Sequence, residues 1–251
     1  MSSPKADINA FPEAEIRGVY RAIAERRDVR GQFRSEPLPM GLVARLLQAA
    51  HHAPSVGFMQ PWDFVLIEDT AVRRRVKALF DEENEKAAAH YTGERAVLYR
   101  YLKLEGILDA PLNLCVTCDR DRGGPYVLGR NSIIDTDLFS TCLAIENLWL
   151  AARAEGVGVG WVSILDPTKL GEILGLPPGV VPLAYLCLGY VEGFLEVPEL
   201  EQKGWRDRLP ISRLVHLDHW RNAFPDSTVF DQATNQVLGR SSEHIVAART
   251  G

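Results

Sequence analysis

Three short stretches of this chain hold residue types that can do chemistry. The first is Arg26-Arg27-Asp28-Val29-Arg30, directly after a segment of helical periodicity. Arginine forms bidentate, charge-assisted bonds to phosphate oxygens, so this dense cluster of guanidiniums is a candidate anion site. It fits equally a solvated basic helix end that complements the helix dipole. The second stretch is the loop Ala53-Pro54-Ser55-Val56-Gly57-Phe58-Met59-Gln60-Pro61-Trp62. A hydroxyl at Ser55 and an amide at Gln60, fixed between prolines, suit the edge of a heteroaromatic ligand, although an ordinary connector would also read this way. The third is Gly156 to Ser163, where glycine recurs at every second position. Alternate glycines leave one face of a strand bare, so a flat group can approach the backbone, or a helix can pack tightly on it. This G-x-G-x-G lies within a strand rather than ahead of a helix, so it is not the dinucleotide fingerprint.

Two other patterns carry less. Cys115-x-x-Cys118 has no second pair to complete a structural zinc site, and positions three apart on a strand face opposite ways. His51 and His52 are adjacent, diverge by about 100° on a helix and do not chelate one metal easily. No metal is expected.

The elements that must position these residues follow from periodicity. Residues 13–25 and 40–50 repeat apolar positions at helical spacing, and 62–67 read as a strand. A helix begins near Asp69. Residues 81–106, rich in charge and aromatics, read as an irregular helical excursion of lid type. Residues 111–118 read as a buried strand, and 137–155 as a helix so apolar around its axis that it must be buried, closed by Gly156. Residues 156–164 and 182–189 read as strands, and 166–175 as a short helix. An N-terminal arm (1–12), one α+β domain (13–220) and a loosely attached, aperiodic tail (221–251) are the simplest organisation.

Composition narrows the function class. The formal net charge is −5, which gives no obvious nucleic-acid partner. No apolar run is long enough for a bilayer span, and Met1 to Asn9 lack the apolar core of a signal peptide. A cytoplasmic or otherwise reducing location is expected. The four cysteines sit in apolar stretches and read as free core thiols.

The segments ERRDVR (25–30), AAHHAPSVGFMQPW (49–62), LKLEGI (102–107), CVTCD (115–119), NLWLAARAEGVGVGWVSI (147–164) and GWRDRLP (204–210) resemble the nitroreductase superfamily over about residues 13–220. The resemblance implies an FMN-binding α+β fold with a mixed, mostly antiparallel sheet flanked by helices, in an intertwined homodimer with its flavin sites at the subunit interface. It implies that Arg26, Arg27 and Arg30 hold the flavin phosphate and ribityl chain, completed by Arg206 or Arg208. Ser55 and Gln60 then meet polar groups of the flavin, Gly160 to Ser163 lie against the ring, and Leu104 belongs to a lid.

Superfamily members usually carry a small polar residue after the paired basic residues, whereas this chain has Asp28. The substitution resembles the branch that consumes reduced FMN with dioxygen, releasing 5,6-dimethylbenzimidazole and erythrose 4-phosphate. In that reading a separate flavin reductase supplies reduced FMN as substrate, and Asp28 and Ser163 are catalytic, the carboxylate moving protons as bonds break. Otherwise Asp28 is a salt-bridge partner of Arg27 or Arg30. The alternatives are an NAD(P)H-dependent FMN nitroreductase and a non-catalytic flavin-binding protein.

Overall fold

The computed structural model describes residues 9–238, with side chains through residue 233. The arm up to residue 8 and the tail beyond 238 lie outside the described residues. In chain order the elements are α1 (Glu13–Glu25), α2 (Met40–His51), β1 (Trp62–Ile67), α3 (Thr70–Ala88), α4 (Gly93–Tyr101) and β2 (Leu112–Asp119). Then follow α5 (Thr136–Ala154), β3 (Val157–Val162), α6 (Pro167–Leu174), β4 (Val180–Tyr190), α7 (Glu199–Gln202) and α8 (Thr228–Leu238). They fall into two compact units, Arg26–Pro198 and a second built from Met1–Glu25 with Glu199–Gly251.

The larger unit is α+β. Its strands pair antiparallel in the order β1-β2-β4-β3. The parallel partner found is a single bridge from Asp28 to Val159 on the outer side of β3. Side chains alternate between the two faces as the strand period requires. Leu112, Leu114, Val116, Val159, Leu186 and Leu188 pack with α2 and α5. Cys115, Val162, Tyr185 and Cys187 pack with α3 and α6. Both faces are therefore covered, and β2 is buried along nearly its whole length.

Helix ends follow local chemistry. Asp69 caps α3 by accepting from the Ala71 N–H at 2.7 Å, and Asp166 caps α6 through Thr168 and Lys169 at 2.9 and 3.0 Å. Such caps satisfy donors that the first helical turn leaves unpaired. Gly175 ends α6 with φ of 68°, a conformation that favours glycine.

Three expectations change. Within 81–106 most of the segment is regular helix, since α3 runs on to Ala88 and α4 spans Gly93–Tyr101, while 102–106 have no regular secondary structure. Pairs one helical turn apart, Lys77–Asp81 and Lys86 with Glu82 and Glu83, tie the charged run into regular helix. Second, α5 is not buried all round. Phe139 is 56% and Leu143 47% exposed, while Thr136, Asp137, Ser140 and Thr141 are buried. The buried Asp137 carboxylate is held by Arg120 and Arg130 at 2.8 and 2.6 Å. Third, Cys142 lies on the exposed side of α5, so only Cys115, Cys118 and Cys187 are core thiols. Burial pushes Cys115 and Cys187 up to about 12, so they stay protonated at neutral pH.

The smaller unit differs in kind. It contains α1, α7, a short turn at Ile211–Arg213 and α8. No residue of it whose side chain is described is buried. The tail was expected to be aperiodic from residue 221, yet α8 forms within it, and Phe224 and Phe230 meet edge to face at 5.1 Å.

Candidate functional site

The Arg26–Arg30 segment runs along the open edge of β3. Val29 N–H donates to the Val159 carbonyl at 3.0 Å. The glycines of β3 make this approach possible. A Cβ on Gly160 would collide with the Val29 carbonyl oxygen, and one on Gly158 with the side chains of Val191 and Val29. The bare strand face expected to receive a flat ligand is thus covered, at these two positions, by the protein's own Val29.

This docking fixes Asp28. Its Oδ1 accepts from the Trp161 N–H at 2.9 Å, and its Oδ2 pairs with the Arg30 guanidinium. Of the two partners considered for Asp28, the structure selects Arg30. Arg27 turns inward instead, donating to the carbonyls of Arg26 and Glu196, and its own carbonyl accepts from Trp149 Nε1 at 3.3 Å. Arg26 stacks on the Trp149 ring at 4.7 Å and lies 3.7 Å from Glu146. Arg30 Nη1 reaches the Lys103 carbonyl at 3.5 Å, next to Leu104. Leu104 packs against the chain's own core cluster below α3 and α6. Arg30 Nε is buried with no hydrogen-bond partner among the described residues. An anionic or carbonyl oxygen would satisfy it, since such groups are costly to leave unpaired.

Ser163 follows directly after β3 and is exposed. It lines a cleft of about 350 Å³ with Glu83, Lys86, His90, Tyr91 and Leu165. Asp28, Arg30, Gly160 and Ser163 therefore gather along one strand.

Ser55 and Gln60 stand elsewhere. Their loop leads into β1, at the opposite edge of the sheet. Trp62 pairs with Cys118, and Val159 pairs with Leu188, which pairs with Leu112. Leu112 and Cys118 lie at opposite ends of β2, on the order of 20 Å apart at the usual rise per residue. Within one chain the Ser55–Gln60 loop and Asp28 thus occupy diagonally opposite corners, and no single flavin ring touches both. The loop is tightly held. Ser55 Oγ accepts from the Gln60 N–H at 3.1 Å, and Arg122 donates to the carbonyls of Gln60 and Trp62 at 3.1 and 3.0 Å. Phe58 and Gln60 have φ of 54° and 48°, left-handed values that non-glycine residues seldom adopt. A cleft of about 650 Å³ opens beside Gln60, Phe58, His51 and Arg122. Arg206 and Arg208 are exposed in the smaller unit.

Sequence reasoning missed Arg122 and the Trp161 N–H. Arg122 lies in a loop of mixed charge without a pattern to mark it, and a backbone donor has no signature. Cys115 and Cys118 do face opposite ways: Cys115 joins the α3 side, and Cys118 meets Thr141 of α5. Among the described residues no group of three His, Cys, Asp or Glu side chains is placed to hold a metal.

Comparison with known proteins agrees with this architecture. Residues 23–190 match the model of the nitroreductase family. A Rhodospirillum rubrum protein named 5,6-dimethylbenzimidazole synthase is 45% identical over 185 residues, covering 74% of this chain and 87% of its own. A Rhodobacter capsulatus protein of the same name is 42% identical over 200 residues, covering 80% and 96%. Among solved structures, iodotyrosine deiodinase bound to FMN and 3-iodo-L-tyrosine superposes with a TM-score of 0.61 at 20% identity, over 82% of this chain and all of that one. The last likeness shows the fold alone.

Proposed function

The chain belongs to the nitroreductase family, and we propose that it fragments reduced FMN with dioxygen to 5,6-dimethylbenzimidazole, the lower ligand of vitamin B12, and erythrose 4-phosphate. The observation that carries this reading is the 45% identity to a 5,6-dimethylbenzimidazole synthase over most of both chains. The geometry supports it with a carboxylate, Asp28, fixed beside the candidate anion site.

Reduced FMN is a substrate here, and its oxidation by dioxygen supplies the driving chemistry. Arg26 and Arg30 hold its phosphate and ribityl oxygens, the unsatisfied Nε of Arg30 being one such donor. Asp28 accepts and returns protons at its carboxylate oxygens, and the Ser163 hydroxyl donates to the ring from the end of β3. Gly160 keeps the strand close to the Asp28 segment.

Ser55 and Gln60 reach the same flavin from a second copy of the chain. Three observations support an intertwined homodimer. The two halves of the site stand at opposite corners of one sheet. Phe139 and Leu143 leave an apolar stripe of α5 open. The smaller unit leaves Phe11, Tyr20, Ile23, Leu214 and Trp220 exposed and buries no side chain among its described residues, and apolar surface of that kind calls for a partner. The reaction is placed in the cytoplasm, with reduced FMN delivered by a separate reductase. No described helix is long and apolar enough to cross a membrane.

The test is to mix the purified protein with chemically reduced FMN in air and analyse products by mass spectrometry. Dimethylbenzimidazole and erythrose 4-phosphate are expected. Oxidised FMN as the sole product, with steady NADPH oxidation when a nitroaromatic is added, would make it a nitroreductase. Bound FMN with no turnover of either kind would make it a flavin-binding protein.

A further inference from the structure

We propose that Arg73 is a positioning residue for the Asp28 site, acting through the loop of residues 102–110; this rests on the flavin-fragmenting activity proposed above. Arg73 belongs to α3 and is only 8% exposed. All its hydrogen bonds among the described residues go to backbone carbonyls. Its Nε and Nη2 donate to Ile107 O at 3.0 and 2.7 Å, and Nη2 also donates to Ala110 O. Asn113 Nδ2 adds a further donor to Ile107 O at 2.9 Å and bonds the Tyr185 hydroxyl at 2.8 Å.

Among the described residues no carboxylate pairs with Arg73, so its buried charge is costly and is offset only through the backbone carbonyls it holds. What the guanidinium does is clamp one end of a loop whose other end supports the site. Arg30 Nη1 donates to Lys103 O. Gly106 lies so close to Arg30 that a Cβ there would come within 2.6 Å of the Arg30 carbonyl oxygen and 2.7 Å of the Phe33 ring. Both the backbone and the side chain of Arg30 thus lean on this loop, and Arg30 in turn holds Asp28 Oδ2. Arg73 fixes Ile107, the loop fixes Arg30, and Arg30 fixes the carboxylate. Arginine suits this role because its planar fork spans two carbonyls, whereas lysine offers a single point charge.

The readout is the ratio of dimethylbenzimidazole formed to reduced FMN oxidised, at saturating reduced FMN, with melting temperature and reduced-FMN affinity measured alongside. A merely structural role would lower the folded fraction but leave that ratio unchanged in the enzyme that remains. Arg73→Gln is expected to lower the ratio about tenfold, since misplacing a reacting group by a fraction of an ångström costs rate steeply. Arg73→Lys should restore part of it. An unchanged ratio in folded, FMN-binding Arg73→Gln and Arg73→Lys overturns the proposal. If both variants fail to fold, Gly106→Ala, whose new methyl group meets the Arg30 carbonyl oxygen, tests the link from the loop to Arg30 directly, and an unchanged ratio there overturns the proposal too. Wild-type protein that makes no dimethylbenzimidazole refutes the assigned activity instead, a result visible before any variant is made.

Discussion

The Asp28 corner and the Gln60 corner of the sheet are both rigid, but by different means. At the first, rigidity comes from charge and from space cleared by glycine. Trp161 N–H and Arg30 occupy the two oxygens of Asp28, and Gly158 and Gly160 let Val29 settle against β3. At the second it comes from backbone conformation. Phe58 and Gln60 both have positive φ, and Gln60 is held there by the Ser55 hydroxyl and the Arg122 guanidinium. Chemistry that moves protons needs a fixed ionisable group. Recognition of a ring edge needs only fixed donors and acceptors, which a strained loop presents well.

The largest expected effect falls on the charged corner. Asp28→Asn keeps an oxygen for the Trp161 N–H but ends the ion pair with Arg30. Reduced FMN binding should persist, and removal of a carboxylate beside the phosphate site favours it. General acid–base groups contribute about 10²–10⁴ in rate, so dimethylbenzimidazole should nearly vanish while oxygen returns the flavin to oxidised FMN. Product formation near the wild-type rate would reduce Asp28 to a salt-bridge partner and erase the functional contrast between the corners.

Gly160→Ala tests the cleared space. The new methyl group meets the Val29 carbonyl oxygen, a backbone atom that cannot swing away like a side chain. Overpacking of this kind typically costs about 1–3 kcal/mol. The Val29–Val159 hydrogen bond should break, and Asp28 should leave the Trp161 N–H. Chemical denaturation and the product assay should therefore fall together. A variant as stable and active as the wild type would mean that Gly160 is not needed for the close approach.

The two corners also differ in how far the sequence exposes them. The cluster at Arg26 to Arg30 stands out by residue type, and the α+β layout follows from periodicities that the structure matches closely at β1, β2 and β4. The glycine pattern of β3 marked a close approach, but glycine reports only that something comes near, not what, and at Gly158 and Gly160 it is Val29. Periodicity failed on α5 because an apolar residue left at the surface, such as Phe139 or Leu143, looks the same in sequence as one facing the core. Arg73 begins a run of three arginines that reads as solvated surface, since only tertiary packing separates it from Arg74 and Arg75. The Gln60 conformation was illegible for a similar reason: glutamine has no preference for positive φ, and the partners that impose it come from distant segments.

That conformation gives the smallest and most discriminating prediction. At φ of 48° Gln60 carries strain that glycine would not, on the order of 1–2 kcal/mol for an L-residue in this region. Glycine also loosens the unfolded chain, which offsets roughly 0.5–1 kcal/mol of the gain. Gln60→Gly should therefore be slightly more stable than Gln60→Ala, which keeps the strain and loses the same amide. If the amide meets the flavin from a second copy, both variants should bind reduced FMN more weakly by one ordinary hydrogen bond, about 1 kcal/mol or roughly fivefold in affinity. Stability and affinity then move independently, which the charged corner does not allow at Gly160, where one change removes both. Denaturation curves and flavin titrations on the pair decide the matter. Equal stability of the glycine and alanine variants would mean that the left-handed backbone is not strained there. Unaltered affinity in both would remove Gln60 from the flavin site and leave the Asp28 corner to bind it alone.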